Sequence, residues 1–224
     1  QFTSNSLNML DASALRNIYI SNMERQRLGE FGFSGDVKAN MTIRLFGNYQ
    51  RIWFTDDYTF PLNGQVFSPI NELDVAEVGA EFQWNPFEKY MLLGYKKVSL
   101  GTTAPRLKLK AVKGLADIFE SDLDYYRFNG EVTHDISLKI AGRIQWKIAA
   151  SSTVGDVPLY LMNVGDGTGI NWNVSVLNTF ESMAPSTFYS QNQVSFFTRY
   201  SFPAIRTKAK WNEPTFSLHH GMGY

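Results

Sequence analysis

Hydrophobic and polar residues alternate along this chain with a period of two, in eight separate runs. From Phe31, the residues Phe31, Phe33, Val37 and Ala39 share one face of an extended segment, and Ser34, Asp36, Lys38 and Asn40 take the other. The second run sets Ile43, Leu45, Gly47, Tyr49 and Trp53, interrupted by Arg51, against Arg44, Asn48 and Gln50. Between Asp74 and Trp84, Ala76, Val78, Ala80, Phe82 and Trp84 oppose Glu77, Gly79, Glu81 and Gln83, a pattern that no helical stripe fits. After Pro105, Leu107, Leu109 and Ala111 oppose Arg106, Lys108 and Lys110. Tyr126, Phe128, Gly130, Val132 and Ile136 then oppose Arg127, Asn129, Glu131 and Asp135. The longest run sets Leu138, Ile140, Gly142, Ile144, Trp146, Ile148 and Ala150 against Lys139, Arg143, Gln145 and Lys147. Val194, Phe196, Tyr200 and Phe202 face away from Gln193, Ser195, Arg199 and Ser201, and a weaker run after Pro214 holds Phe216, Leu218 and Met222. Eight strands are predicted.

Length gives the alternation its meaning. Strands of soluble sheets cluster at about 5–6 residues, whereas a tilted membrane-crossing strand needs about 9–11, and several runs reach the longer class. In a membrane barrel the apolar face meets lipid, where a Lys or Arg at the midplane costs about 2–4 kcal/mol. Lys139, Arg143 and Lys147 are therefore expected to point inwards while Ile140, Ile144 and Ile148 meet lipid. The full inward set reads Arg44, Glu77, Glu81, Arg106, Lys108, Lys110, Arg127, Glu131, Arg143 and Lys147, with Asp36 beside it. Mixed charge of this kind suits ion pairs that fill a lumen better than a selective pore. Trp53 and Trp84 end their apolar faces where an aromatic girdle would sit, but Trp146 lies mid-run.

Connections carry a second signal, because such barrels alternate short periplasmic turns with long outer loops. The links at about Asn40–Thr42 and Asp135–Ser137 read as short, and those at Thr55–Glu72, Lys113–Asp124 and Ser152–Gln191 as long. Asn85–Ala104 should be short and is not, so strand structure is expected inside it. The alternating piece Ile170, Trp172, Val174 and Val176 reads as a loop hairpin. The same parity puts both chain ends outside, as in an internal section of a longer barrel. No stretch approaches the roughly 20 apolar residues of a membrane-spanning helix.

Composition narrows the function classes. The chain has 224 residues, 44% apolar, with 21 basic and 21 acidic side chains, so neither a disordered tail nor a basic nucleic-acid-binding surface is expected. Cys is absent, which removes disulfides and thiolate metal sites. His134 and Asp135 are neighbours in sequence, as are His219 and His220; adjacent strand residues point to opposite faces, so neither pair chelates as neighbours. No G-x-S-x-G elbow precedes a helix. Gly165, Asp166, Gly167 and Gly169 fit a turn better than a calcium loop, having one acidic residue. Asp56, Asp57, Asp117, Glu120, Asp122 and Asp124 offer carboxylates to a divalent cation, or through one to lipopolysaccharide, although solvated loop charge is the simpler reading.

Several strings resemble a known family: PRLKLKAVKG (Pro105 to Gly114), SDLDYYRF (Ser121 to Phe128), Gly142–Arg143, GDVPLYL (Gly155 to Leu161), NTFESMAPSTFYS (Asn178 to Ser190) and KAKWNEPTFSL (Lys208 to Leu218). Together they look like outer-membrane β-barrels of Bacteroidota-type bacteria, usually called carboxypeptidase-regulatory-like domain proteins of unknown function. The resemblance runs from about Arg16 to Tyr224. It implies a barrel, a small amino-terminal β-sandwich ahead of it, further strands outside this chain, and no assigned catalytic residues.

The expectation is thus an all-β antiparallel transmembrane β-barrel, an incomplete section of about eight spanning strands. Residues 1–23 form an outer loop, and 24–224 the barrel section with long loops at 55–73, 113–124 and 152–191. The protein is expected in the cell outer membrane as a scaffold, pore or assembly subunit, without enzyme activity, cofactor or metal. Its expected partners are outer-membrane lipid and lipopolysaccharide, other outer-membrane proteins or the missing strands of the same polypeptide, and no nucleic acid. The alternative is a soluble ligand-binding β-sandwich or small barrel.

Overall fold

The computed structural model describes residues 25–38, 40–58, 61–62, 65–66, 70–94, 96–121, 123–165, 167, 178–180, 183, 188–204 and 215–224. The expected outer loop at 1–23 and the loop hairpin around Ile170–Val176 lie outside the described residues, as do Asp122, Asp166, Gly169 and the side chains of Asp56 and Asp57.

Among the described residues fourteen strands follow in chain order: β1 (Arg25–Lys38), β2 (Met41–Tyr58), β3 (Pro61–Leu62), β4 (Gln65–Val66), β5 (Ile70–Trp84), β6 (Lys89–Leu93), β7 (Lys96–Gly101), β8 (Arg106–Gly114), β9 (Tyr126–Ser137), β10 (Arg143–Val154), β11 (Asn163–Val164), β12 (Tyr189–Ser190), β13 (Asn192–Ser201) and β14 (Ser217–Gly223). Eight of them build one antiparallel sheet in the order β1-β2-β5-β8-β9-β10-β13-β14. Each of the eight alternating runs overlaps one of these strands, the run from Leu138 only from Arg143 onwards. β1, β2 and β5 contain 14, 18 and 15 residues, and β9 and β10 contain 12 each, so the sheet is taller than a soluble sheet requires. The sheet is open: among the described residues β1 pairs only with β2 and β14 only with β13. No helix among the described residues is long and apolar enough to cross a membrane.

Register sorts the side chains as the alternation does. Ile43 stands opposite Phe82, which stands opposite Leu109; Leu109 faces Gly130, and Ala150 then leads to Val194. The other face carries Arg44, Glu81, Lys110, Asn129, Ser151 and Gln193 along the neighbouring row. The apolar face is uncovered over much of its area, with Phe31 68% and Phe33 69% exposed, and Leu45, Leu109, Phe128 and Val194 exposed as well. Such a face is the reverse of a sandwich interior, where these side chains would be buried against a second sheet.

The connections fall into two sets at opposite ends of the sheet. At the turn end, β1 passes to β2 through two residues, and β9 to β10 through Leu138–Gly142. The over-long link between β5 and β8 contains the separate hairpin β6–β7, which accounts for its length. At the loop end, β2 and β5 run further than their alternation predicts, to Tyr58 and from Ile70.

One expectation is corrected here. Alternation predicts strand from Leu138, but Lys139–Ala141 is a single 3-10 turn, with Leu138 N–H donating to Gly142 O at 2.8 Å. Lys139 and Gly142 take φ of 55° and 111°, backbone that only glycine adopts readily. Ile140 is 92% exposed at the tip of this turn, so neither Lys139 nor Ile140 belongs to either face of β10. The short link therefore lies at 138–142, and Asp135–Ser137 is strand. Gly142, which fits the alternation as a strand position, instead closes the turn.

The buried cluster sits at the loop end of the polar face. Ile52, Leu73 and Val75 from β2 and β5 pack against Leu123 and Tyr125, which precede β9, and Val157 and Leu161, which follow β10. Loop residues thus fold over the polar face and supply it with a small core.

Candidate functional site

All ten charged residues expected to point inwards occupy the same face of the sheet in the observed registers. Their partners come from nearby strands, usually on a diagonal. Lys108 Nζ reaches Glu81 Oε1 at 3.1 Å, and Lys147 Nζ reaches Glu131 Oε2 at 2.9 Å. Arg44 pairs with Glu30 across the β1–β2 ladder, and Arg143 forks onto both oxygens of Asp135, which also accepts from Gln145 at 3.1 Å. Lys110 lies directly opposite Glu81 but sits 5.0 Å from the centre of the Phe46 ring, which Arg44 covers at 5.4 Å. Pairs as exposed as Arg44–Glu30 contribute about 1 kcal/mol or less each. Their larger effect is to satisfy charge on a face that contains an aromatic ring.

Glu77 is the buried hub of this face. Its Oε2 accepts from Asn48 Nδ2 at 2.9 Å, and its Oε1 accepts from Arg127 Nη2 at 2.6 Å and from the Tyr125 hydroxyl. Tyr125 is 0% exposed and lies against Gly114, where a Cβ would overlap its ring. Burial pushes the Tyr125 phenol well above its ordinary value, the charge on Glu77 raises it further, and Arg127 opposes the shift. This group sits next to the loop-end core, so polar and apolar contacts together fix the fold of the loops over the face.

Arg51, which interrupts the apolar side of β2, has its partner directly across the ladder. Asp74 stands opposite it in register and binds its Nε at 2.7 Å, while Glu120 from the β8–β9 connection takes Nη2 at 2.7 Å. The Phe119 ring packs 5.5 Å from Tyr49 on the same side. Further out, Trp53 carries Arg25 and Arg27 over its ring at 5.2 and 5.7 Å. An aromatic and basic fringe thus ends the apolar face at the loop end.

Chemistry beyond charge pairing is sparse. Among the described residues no group of three or more His, Cys, Asp or Glu side chains could hold a metal ion. Glu120 is engaged by Arg51, and Asp124 lies 3.8 Å from Lys113. His134 lies within β9, its Nε2 3.1 Å from Thr103 O and its ring edge-on to Trp146. His219 and His220 face opposite sides of β14, opposite Arg199 and Thr198.

Sequence reading had no means to identify Glu30, Asn48 or Tyr125 as partners. Glu30 precedes the point where alternation becomes clear, Asn48 is uncharged, and Tyr125 lies outside the strand. Arg199 was assigned to the polar side but left out of the inward set.

Three comparisons with known proteins bear on the fold. Residues 17–204 match the family of unknown function DUF5686, C-terminal domain. The crystal structure of BamA from Haemophilus ducreyi lacking POTRA domains 1-3 is similar, with a TM-score of 0.59 and 14% identity over 90% of this chain. This chain covers 42% of that one, less than half its length. No curated protein matches in sequence.

Proposed function

The chain belongs to the DUF5686 C-terminal-domain family, and from that premise and its two-faced sheet we propose that it is the wall of an outer-membrane β-barrel. The carrying observation is the segregation itself. Ten charged side chains share one face, while the opposite face leaves large apolar side chains exposed. Water on the first face and hydrocarbon on the second account for both. The likeness of its fold to BamA supports the same reading.

In this arrangement the paired charges line and partly fill the lumen, and the loop residues Leu123, Tyr125, Val157 and Leu161 narrow its outer mouth. The protein acts as a scaffold or subunit of an outer-membrane assembly, without catalysis of its own. β1 and β14 each have one unpaired edge among the described residues, and an open edge has no water to satisfy its amides in hydrocarbon. These edges are completed by further strands of the same polypeptide or by a neighbouring outer-membrane protein. The fringe of Trp53, Arg25 and Arg27 meets the headgroup region, where lipopolysaccharide phosphates lie.

Single cysteines at Arg143, Lys147, Ile144 and Ile148 test the orientation in intact membranes. A water-soluble thiol reagent should modify the first two and spare the last two. Equal labelling at all four, or recovery of the protein in a detergent-free soluble fraction, would refute the membrane reading.

A further inference from the structure

The turn end of the polar face holds more positive charge than its partners neutralise. Arg106 from β8, Arg143 and Lys147 from β10, and Arg199 from β13 share this face, and His219 stands opposite Arg199 on β14. Two carboxylates lie among them, and both are engaged: Asp135 by Arg143 and Gln145, Glu131 by Lys147. Among the described residues Arg106 and Arg199 have no carboxylate: Arg199 stands opposite Gln145, two positions along β10 from Arg143, and Arg106 stands opposite Thr133 on β9, two positions from Asp135.

Arg199 makes the imbalance specific. Its Nε is buried and has no hydrogen-bond partner among the described residues. On its loop-end side lies Phe197, itself buried with its ring 4.9 Å from that of Phe180. A guanidinium beside an aromatic wall is poorly served by water, and its donor needs an acceptor. An excess of like charge on one face is relieved most directly by an anion bound among the cations. Guanidinium forks match the tetrahedral oxygens of phosphate, two at a time.

We propose that Arg106, Arg143 and Arg199 form a binding site for a phosphate group at the turn end of the polar face. A phosphomonoester carries about −1.5 to −2 charge at neutral pH, which matches the two uncompensated cations. The group arrives either as a free phosphorylated solute or as the headgroup of a lipid reaching the rim of the sheet. The site is confined to this face, whether or not the other face lies in lipid.

The test is calorimetric titration of the full-length protein in a non-ionic detergent, with inorganic phosphate and, separately, with phosphatidic acid in mixed micelles. Saturable binding of either ligand is expected, weakened at least tenfold in Arg106→Gln and in Arg199→Gln and unchanged in Lys113→Gln, whose partner Asp124 lies at the loop end. Binding of inorganic phosphate marks a solute site, and binding of phosphatidic acid alone marks a headgroup site; both support the proposal. Arg106→Gln keeps it falsifiable if Arg199→Gln does not fold. No binding of either ligand, or binding unchanged in Arg106→Gln, overturns it, as does an Arg199→Gln protein that loses thermal stability while the wild type ignores phosphate, which would give Arg199 a carboxylate partner elsewhere in the polypeptide.

Discussion

Glu77 and Arg127 meet at 2.6 Å although they belong to strands that are not neighbours, β5 and β9, with β8 between them. The contact is possible because the β8 residue opposite Glu77 is Gly114, whose missing side chain leaves room for Tyr125 to reach across. A charge pair, a glycine and an aromatic ring thus form one unit over three strands.

Breaking that unit should be costly, since removing one partner of a buried pair strands the other. Glu77→Ala is expected to lower unfolding stability in detergent by about 3 kcal/mol. The double variant Glu77→Ala/Arg127→Ala should cost clearly less than the two single changes added together. Additive costs in denaturant titrations would show that the two residues act independently.

Gly114→Ala places a methyl group where the Tyr125 ring lies. Overpacking of this kind costs about 1–3 kcal/mol. Shrinking the ring in Gly114→Ala/Tyr125→Ala should remove the penalty specific to the alanine. A Gly114→Ala protein as stable as wild type would mean that Tyr125 does not occupy this position.

Tyr125 gives the fold a signature in alkali. Its folded-state phenol is raised above the ordinary value near 10, so the folded chain holds the proton more tightly than the unfolded one. The contribution is complete below about pH 10 and falls as pH climbs past the unfolded value towards the folded one. Unfolding stability measured at successive pH values above 10 should therefore fall more steeply for wild type than for Tyr125→Phe. Parallel slopes would contradict the assignment.

The turn at 138–142 makes its own forecast. Cysteines at Lys139 and Ile140 should both react with a water-soluble thiol reagent at similar rates, because both belong to an exposed turn. A protected Ile140 would restore the strand that alternation suggested.

The eight strands were legible because each buries or exposes a whole face, and that demand writes itself into every second residue. Arg127, Glu131, Arg143 and Lys147 were assigned to one face on this ground alone, and the registers agree. What alternation does not encode is who stands beside whom. Arg44 finds Glu30 only because two residues join β1 to β2 and a bulge between Asp36 and Lys38 resets the ladder. Lys110 faces Glu81 yet leaves it to Lys108, a choice made by the position of the Phe46 ring. Tyr125 looked like one more aromatic beside Tyr126, and its burial depends on Gly114 eleven residues earlier and Glu77 on another strand.

The contact of Tyr125 with Gly114 also bears on how the chain finds its alignment during assembly. A slip of one residue between neighbouring strands turns every side chain to the wrong side and is strongly penalised. A slip of two keeps each side chain on its proper side, so hydrophobicity alone scarcely resists it. Between β8 and β9 it would carry Tyr125 off Gly114 and set its ring on Val112 or beyond the end of β8. That contact therefore acts as a vernier scale, telling the right alignment from its nearest look-alikes after the coarse sorting of oily and polar sides is done.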